Sequence, residues 1–145
     1  MAQIKSYTDL EQSKKLAKIL PIDSADMDYI PVVNTDNIDG EYSVIVNKWD
    51  NDHIIDEGWI PCWSLSALLS VLPNEISTGD RFIDKFQIVI RKYNGGNDAT
   101  LYQIAFGNNR GLSGSWHDMI NTGEKDNPVD ACVDMIIKLN ELNLL

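Results

Sequence analysis

Cysteine and histidine are scarce in this chain, which contains two of each among 145 residues. A structural zinc site requires about four such ligands at close spacing, and Cys62, Cys132, His53 and His117 include no closely spaced pair. Two isolated cysteines also argue against a disulfide framework. We therefore expect free, buried thiols in a reducing cytoplasm, and neither a metal nor a cofactor.

Long apolar runs and an excess of positive charge are also missing. No apolar stretch reaches the roughly 18 residues of a membrane span, and the amino-terminal end lacks the apolar core of a secretory signal. Acidic residues outnumber basic ones by 22 to 12, which gives a net charge of −10. Because nucleic acids and anionic membranes attract positive surfaces, the sequence predicts a cytoplasmic protein that binds neither.

One feature favours nucleic acid, a modest basic patch around a predicted hairpin, but acidic residues in the same region outweigh it. Its members are Arg81, Lys85, Arg91, Lys92 and Arg110.

The negative charge is concentrated between residues 21 and 60, where ten acidic residues and Lys48 alone account for −9 of the −10. A solvated, loop-rich face is the simpler interpretation, and a site for a cation or a basic partner is the alternative. The densest group of oxygen and nitrogen ligands is Asp50, Asp52, His53, Asp56 and Glu57. This group lacks the glycine and the terminal glutamate of an EF-hand loop.

Three helices are predicted, over residues 8–20, from Ser64 to Pro73, and over 128–142. Thr8 and Glu11 have the spacing of a capping box, Ser64 is a suitable N-cap, and Asn127 precedes a proline at the first helical position. The composition is 43% hydrophobic and 23% charged, which is typical of globular proteins, and we expect one domain over residues 1–145.

Four strands are predicted, over residues 41–49, 85–93, 100–106 and 115–120. The glycine- and asparagine-rich stretch 94–97 predicts a hairpin turn, and alternation places Trp116 and Ile120 inward. Alternating strands are typical of antiparallel sheets. The predicted fold class is therefore α+β, an antiparallel sheet of about four strands, including a three-strand meander, with three helices packed mainly on one face.

Catalytic motifs are incomplete. Gly111–Ser115 resembles a nucleophile elbow, but serine replaces its last glycine and no helix is predicted to follow. His117 and Asp118 are neighbours on a predicted strand, so their side chains should point to opposite faces and cannot pair there as base and orienting acid. We predict no catalytic residue. The alternative is a small enzyme or a ligand- or cation-binding domain that uses Asp52, His53, His117 and Asp118.

Four tryptophans admit two interpretations. They fill the core between sheet and helices, or some of them form an interaction surface, for which Trp59 and Trp63 are the candidates. The core interpretation is preferred. The apolar carboxy-terminal end is expected to be docked; its leucines are Leu142, Leu144 and Leu145.

Helix-forming motifs stand at both ends and in the middle of the chain, in Tyr7–Ala17, Ile19–Pro21, Ile60–Leu65 and Asn127–Val133. These motifs resemble a family of short uncharacterised proteins encoded by Bacteroides-type gut bacteria and their phages or other mobile elements. No activity, cofactor or site is assigned to that family. The resemblance therefore implies a phage or mobile-element setting and nothing about chemistry.

Charge, composition and the incomplete motifs together predict a non-enzymatic cytoplasmic interaction or accessory module. Its expected partner is a protein, either a basic one or a second copy of this chain, which would form a homodimer.

Overall fold

A computed structural model of the chain describes residues 5–31, 42–46, 58–79, 85–110 and 114–145. The described residues fall into two compact units, an amino-terminal unit within Ser6–Val71 and a carboxy-terminal unit that combines Lys5 with residues within Leu72–Leu145. The described part contains three α-helices and two antiparallel sheets, so the predicted α+β class is confirmed. Its strands belong to two sheets, whereas one was expected. The single domain stays a prediction.

In the amino-terminal unit the elements are α1 (Leu10–Leu16), a 3₁₀ turn (Ile22–Ser24), β1 (Met27–Pro31), β2 (Tyr42–Val46), β3 (Ile60–Cys62) and α2 (Leu65–Val71). Its sheet has the order β2-β1-β3, and α1 packs against β3. Strands β1 and β3 were not predicted, because each is short and contains a proline.

Helix α1 is capped one residue later than predicted. The capping box consists of Asp9 and Gln12: the Asp9 carboxylate accepts from the Gln12 N–H at 2.8 Å, and the Gln12 side chain accepts from the Asp9 N–H at 3.1 Å. The predicted pair of Thr8 and Glu11 is therefore wrong. Thr8 is fully buried, and its polar groups have other partners.

Thr8 joins several elements of the amino-terminal unit. Its N–H donates to the Trp63 carbonyl at 2.9 Å, and its Oγ1 accepts from the Trp63 N–H at 3.1 Å. The Thr8 hydroxyl also pairs with Ser13 Oγ at 2.8 Å, and Tyr29 OH donates to the Thr8 carbonyl at 2.8 Å. Because an unpaired buried polar group destabilises the fold, this network fixes the segment before α1 against β1 and against Trp63, the residue that follows β3.

Trp63 is fully buried, which confirms the core interpretation for this residue. Its indole Nε1–H donates to Ser24 Oγ at 3.0 Å. Ser64 caps α2 as predicted, because its Oγ accepts from the Ala67 N–H at 3.2 Å. The Asp26 carboxylate in turn accepts from the Ser64 N–H at 2.8 Å and from the Ser64 hydroxyl.

In the carboxy-terminal unit the elements are β4 (Glu75–Ser77), β5 (Lys85–Asn94), β6 (Thr100–Arg110), β7 (Ser115–Asn121) and α3 (Pro128–Glu141). Its sheet has the order β4-β5-β6-β7, so the predicted meander of β5, β6 and β7 is confirmed. The tight turn between β5 and β6 includes Asn97 and Asp98 with positive φ, a conformation that these residue types tolerate.

One face of the four-stranded sheet, the core face, carries the buried side chains of Phe86, Ile104 and Phe106. Helix α3 packs against β6, and Asn127 caps it as predicted by accepting from the Asp130 N–H at 2.8 Å. The buried side of α3 consists of Val129, Ala131, Cys132, Val133, Met135, Ile136 and Leu139. The chain after α3 differs from the prediction, because the predicted docked leucines Leu142 and Leu145 are 54% and 46% exposed.

A register shift between Phe106 and Gly107 changes which face each β7 residue occupies. Ile120 lies opposite Phe106 on the core face, whereas Asp118 lies opposite Gly107. Because cross-strand partners share a face and neighbours along a strand do not, Trp116 lies with Asp118 on the other face. The prediction that Trp116 and Ile120 both point inward is therefore wrong for Trp116.

Asp28 is a fully buried acid in the central strand β1 of the amino-terminal sheet, opposite Ile45 and Pro61. No described residue hydrogen bonds to either of its carboxylate oxygens. Burial without a partner disfavours the charged form and raises the pKa of Asp28 from 3.8 to about 6. The folded protein therefore binds a proton at this site more tightly than the unfolded chain.

This shift predicts how Asp28→Asn changes the pH dependence of stability. Proton binding at Asp28 contributes fully to the free energy of unfolding below about pH 4. This contribution is lost as the pH rises to about 6, and it does not change further above that pH. The free energy of unfolding should fall by about 3 kcal/mol over these two pH units. Urea unfolding from pH 4 to 7.5 should show this decline in the wild type and a flatter profile in Asp28→Asn. Parallel profiles for the two proteins would contradict the assignment.

Candidate functional site

The second face of the four-stranded sheet, the outer face, carries a polar and aromatic group of four side chains. Arg91 of β5 lies opposite Gln103 of β6, and Trp116 and Asp118 come from β7. We call these four residues the Arg91–Asp118 cluster. Three neighbouring strands therefore supply one site, which alternation along each strand directs away from the core face.

Asp118 is the acceptor at the centre of the cluster. Arg91 forms a bidentate ion pair with it, with Nη1 donating to Oδ2 and Nη2 donating to Oδ1, both at 2.7 Å. Arg91 Nη1 also donates to Gln103 Oε1 at 2.9 Å, and Trp116 Nε1 donates to Asp118 Oδ1 at 2.7 Å. One carboxylate thus fixes the orientation of a guanidinium group and an indole ring.

The ion pair keeps both of its members charged. The hydrogen bonds from Arg91 lower the pKa of Asp118, and the hydrogen bond to Asp118 raises the pKa of Arg91. The side chains are 31% and 23% exposed, so solvent screens the pair and its contribution to stability is at most about 1 kcal/mol. Its main effect is geometric, because a bidentate pair restricts both side chains to one arrangement.

Gly107 provides the space for Trp116. A Cβ atom at Gly107 would lie 2.8 Å from Trp116 Nε1 and would overlap the backbone carbonyl oxygen of His117. Only a residue without a side chain allows this approach. The indole is half-buried over the glycine and leaves part of its surface to solvent.

The structure separates the residues that the alternative prediction combined. Asp118 belongs to the cluster, whereas His117 is exposed on the opposite face, across from Asn108. This separation of His117 from Asp118 was predicted from their adjacency on a strand. Asp52 and His53 lie outside the described residues, so their part of that prediction stays untested.

The remaining candidates divide between core and surface. Trp63 is buried and Trp59 is half-buried, so Trp63 presents no side-chain surface to a partner in this structure. Trp49 and Gly111–Ser113 lie outside the described residues. Arg91 was assigned to a basic patch, but its charge is neutralised by Asp118.

The pairing of Arg91 with Gln103 and Asp118 was not predicted from the sequence. The alternation of β5 does place Arg91 on the face opposite Phe86, which was the available signal.

Metal-ligating side chains and two cysteine thiols are the other reactive groups of the described residues. No cluster of three or more His, Cys, Asp or Glu side chains suited to a metal ion occurs in the described ranges. Cys62 and Cys132 are free and buried as predicted, and burial raises the pKa of both thiols, that of Cys132 to about 12. Both thiols therefore stay protonated near neutral pH. None of the helices in the described ranges has the length and apolar character that a membrane-spanning helix requires.

A cleft of about 420 Å³ lies at the turn end of the β5–β6 hairpin. Its lining residues are Lys92, Tyr93, Asn94, Asp98, Ala99 and Thr100.

Comparison with known proteins found no matching family model, no matching curated protein and no matching solved structure.

The contact between Gly107 and Trp116 predicts the effect of Gly107→Ala. The added methyl group meets backbone as well as the indole, so we expect a loss of about 1–3 kcal/mol in the free energy of unfolding. Trp116 should also lose its hydrogen bond to Asp118, which an NMR shift of its indole N–H would report. Gly95→Ala is the control, because its methyl meets the flexible side chain of Leu101. Equal, small effects of both substitutions would contradict the close packing.

Proposed function

We propose that this chain is a non-enzymatic interaction or accessory module of the cytoplasm that binds a protein partner through the outer face. The phage or mobile-element setting is part of the proposal and rests on the resemblance of the helical motifs. The observation that supports the binding role is the Arg91–Asp118 cluster, a partly exposed site in which an indole and a guanidinium group are held in fixed orientations.

Arginine and tryptophan are enriched among the residues that dominate the binding energy of protein interfaces. A side chain that is ordered only on binding loses about 0.5–1.5 kcal/mol of rotamer entropy. In the cluster, hydrogen bonds to Asp118 already restrict Arg91 and Trp116, so a partner would meet them in their bound orientation. Less rotamer entropy would therefore be lost on binding, which favours the binding of a partner at this cluster.

The charge of the chain favours a basic partner over a second copy. Two copies would each carry −10 and would repel one another before contact, whereas a basic surface would be attracted. The cluster adds no free positive charge, because Arg91 is paired with Asp118. The homodimer is therefore the second candidate.

The test is affinity enrichment from host extract with quantitative mass spectrometry, followed by calorimetry with the enriched partner after purification. We expect Trp116→Ala and Arg91→Met each to lower the partner's affinity about tenfold or more, which corresponds to about 1.4 kcal/mol. Leu69→Ala is the matched control, because Leu69 is a partly exposed apolar residue of α2, away from the cluster in sequence. Circular dichroism should confirm that all three variants fold.

Several outcomes would contradict the proposal. One is that the wild type, Trp116→Ala and Arg91→Met bind the partner equally well. The others are that no specific partner is enriched, or that the pure protein turns over a small molecule. Sedimentation velocity over a range of concentrations separates the two partner classes. Dimerisation that Trp116→Ala abolishes would support the homodimer in place of the basic protein.

A further inference from the structure

Strand β5 is covered on one edge along only part of its length. Strand β4 pairs with Lys85–Gln87, and the Ile88 N–H donates to the Asn74 carbonyl at 3.1 Å. From Ile90 onward, no described residue pairs with this edge, which we call the open edge (Ile90–Lys92).

Hydrogen-bond alternation identifies the backbone groups that the open edge presents. The Gly95 N–H donates to the Ala99 carbonyl at 2.8 Å, so Gly95 bonds toward β6. In an antiparallel pair, ladder bonds involve every second residue of a strand. Arg91 and Tyr93 therefore bond to β6, whereas the N–H and C=O groups of Ile90 and Lys92 point away from it. The Ile88 bond to Asn74, on the β4 side, agrees with this assignment.

The side chains at the open edge are also accessible. Ile90 is 52% exposed although it shares the core face with Phe86 and Ile104, and Lys92 is exposed. Lys92 forms no ion pair with any residue that the structure describes. The polar cleft at the hairpin begins at Lys92 and includes Asp98. The open edge thus combines backbone groups that no described residue pairs with, the exposed apolar side chain of Ile90 and the cationic side chain of Lys92.

We propose that the open edge binds an extended peptide segment of a partner as an additional antiparallel strand. An acidic residue of that segment would lie opposite Lys92, and an apolar residue two positions later would lie opposite Ile90. The peptide motif is therefore acid-x-apolar, with backbone hydrogen bonds at the acidic and apolar positions. This site goes beyond the proposed function, because it lies at the strand edge and not in the Arg91–Asp118 cluster.

The same edge is poorly suited to a second copy. Antiparallel pairing of two open edges about Arg91 would place Lys92 opposite Ile90 of the other chain and would supply no acid to either lysine. Each copy would also bring a charge of −10. A lysine on an edge strand is a common device against indiscriminate strand pairing, so an acidic residue in the bound peptide would provide the selection.

The probe is the peptide Lys-Thr-Glu-Thr-Val-Thr-Lys, whose lysines offset the negative charge of the protein. Amide exchange measured by NMR gives the first readout. In the free protein the Ile90 and Lys92 amides should exchange quickly, whereas those of Arg91 and Tyr93 should be protected by β6. Added peptide should protect Ile90 and Lys92 and leave the exchange of the Arg91 and Tyr93 amides unchanged. A peptide with proline in place of valine lacks the required N–H and should bind at least about tenfold less tightly.

A charge exchange tests the side-chain contact. Lys92→Glu should weaken binding of the glutamate peptide about fivefold, within the range of surface ion pairs, and a peptide with lysine in place of glutamate should recover the loss. Lys85→Glu is the matched control, because this exposed lysine lies in the part of β5 that β4 covers. It makes the same change of net charge and should leave binding unchanged.

Three results would overturn the inference. The first is protection of the Ile90 and Lys92 amides in the free protein, and the second is no added protection at millimolar peptide. The third is protection that grows with protein concentration alone, which would indicate a second copy on the edge. Because the test does not involve Trp116, its failure leaves the proposed function of the outer face intact, and the converse also holds.

Discussion

The bidentate ion pair between Arg91 and Asp118 is the interaction on which the functional account depends. It connects β5 with β7 across β6, and its carboxylate also accepts the indole N–H of Trp116. The pair contributes little to stability because solvent screens it. Its importance lies in geometry, since it holds an aromatic ring and a cation in place on a face that remains partly open to solvent.

The cluster exists because of a register shift that the sequence pattern does not reveal. Simple alternation places Trp116, Asp118 and Ile120 on one face, and this reasoning correctly separated His117 from Asp118. Strand β7 has one extra residue between Asp118, the partner of Gly107, and Ile120, the partner of Phe106. This residue places Ile120 on the core face and leaves Trp116 over Gly107. Bulges of this kind depend on tertiary packing, so neither the position of Trp116 nor its contact with Asp118 could be predicted locally.

Elements with strong local signals were predictable, and those held by long-range contacts were not. The hairpin, the third strand of the meander and the caps Ser64 and Asn127 follow from turn and capping chemistry. The shift of the α1 cap from Thr8 to Asp9 has a different cause. Thr8 is required for bonds to Trp63, more than fifty residues away in sequence, and such a partner leaves no mark on the local pattern.

The mobility of the Trp116 side chain is the most direct measure of whether the cluster is a pre-ordered recognition site. Nitrogen-15 relaxation of its indole Nε1–H reports this motion on the picosecond to nanosecond timescale. We expect an order parameter near that of rigid backbone, about 0.85, and slow exchange of the indole proton with water. An order parameter below about 0.6 with rapid exchange would show that Asp118 does not hold the ring, and would contradict the account.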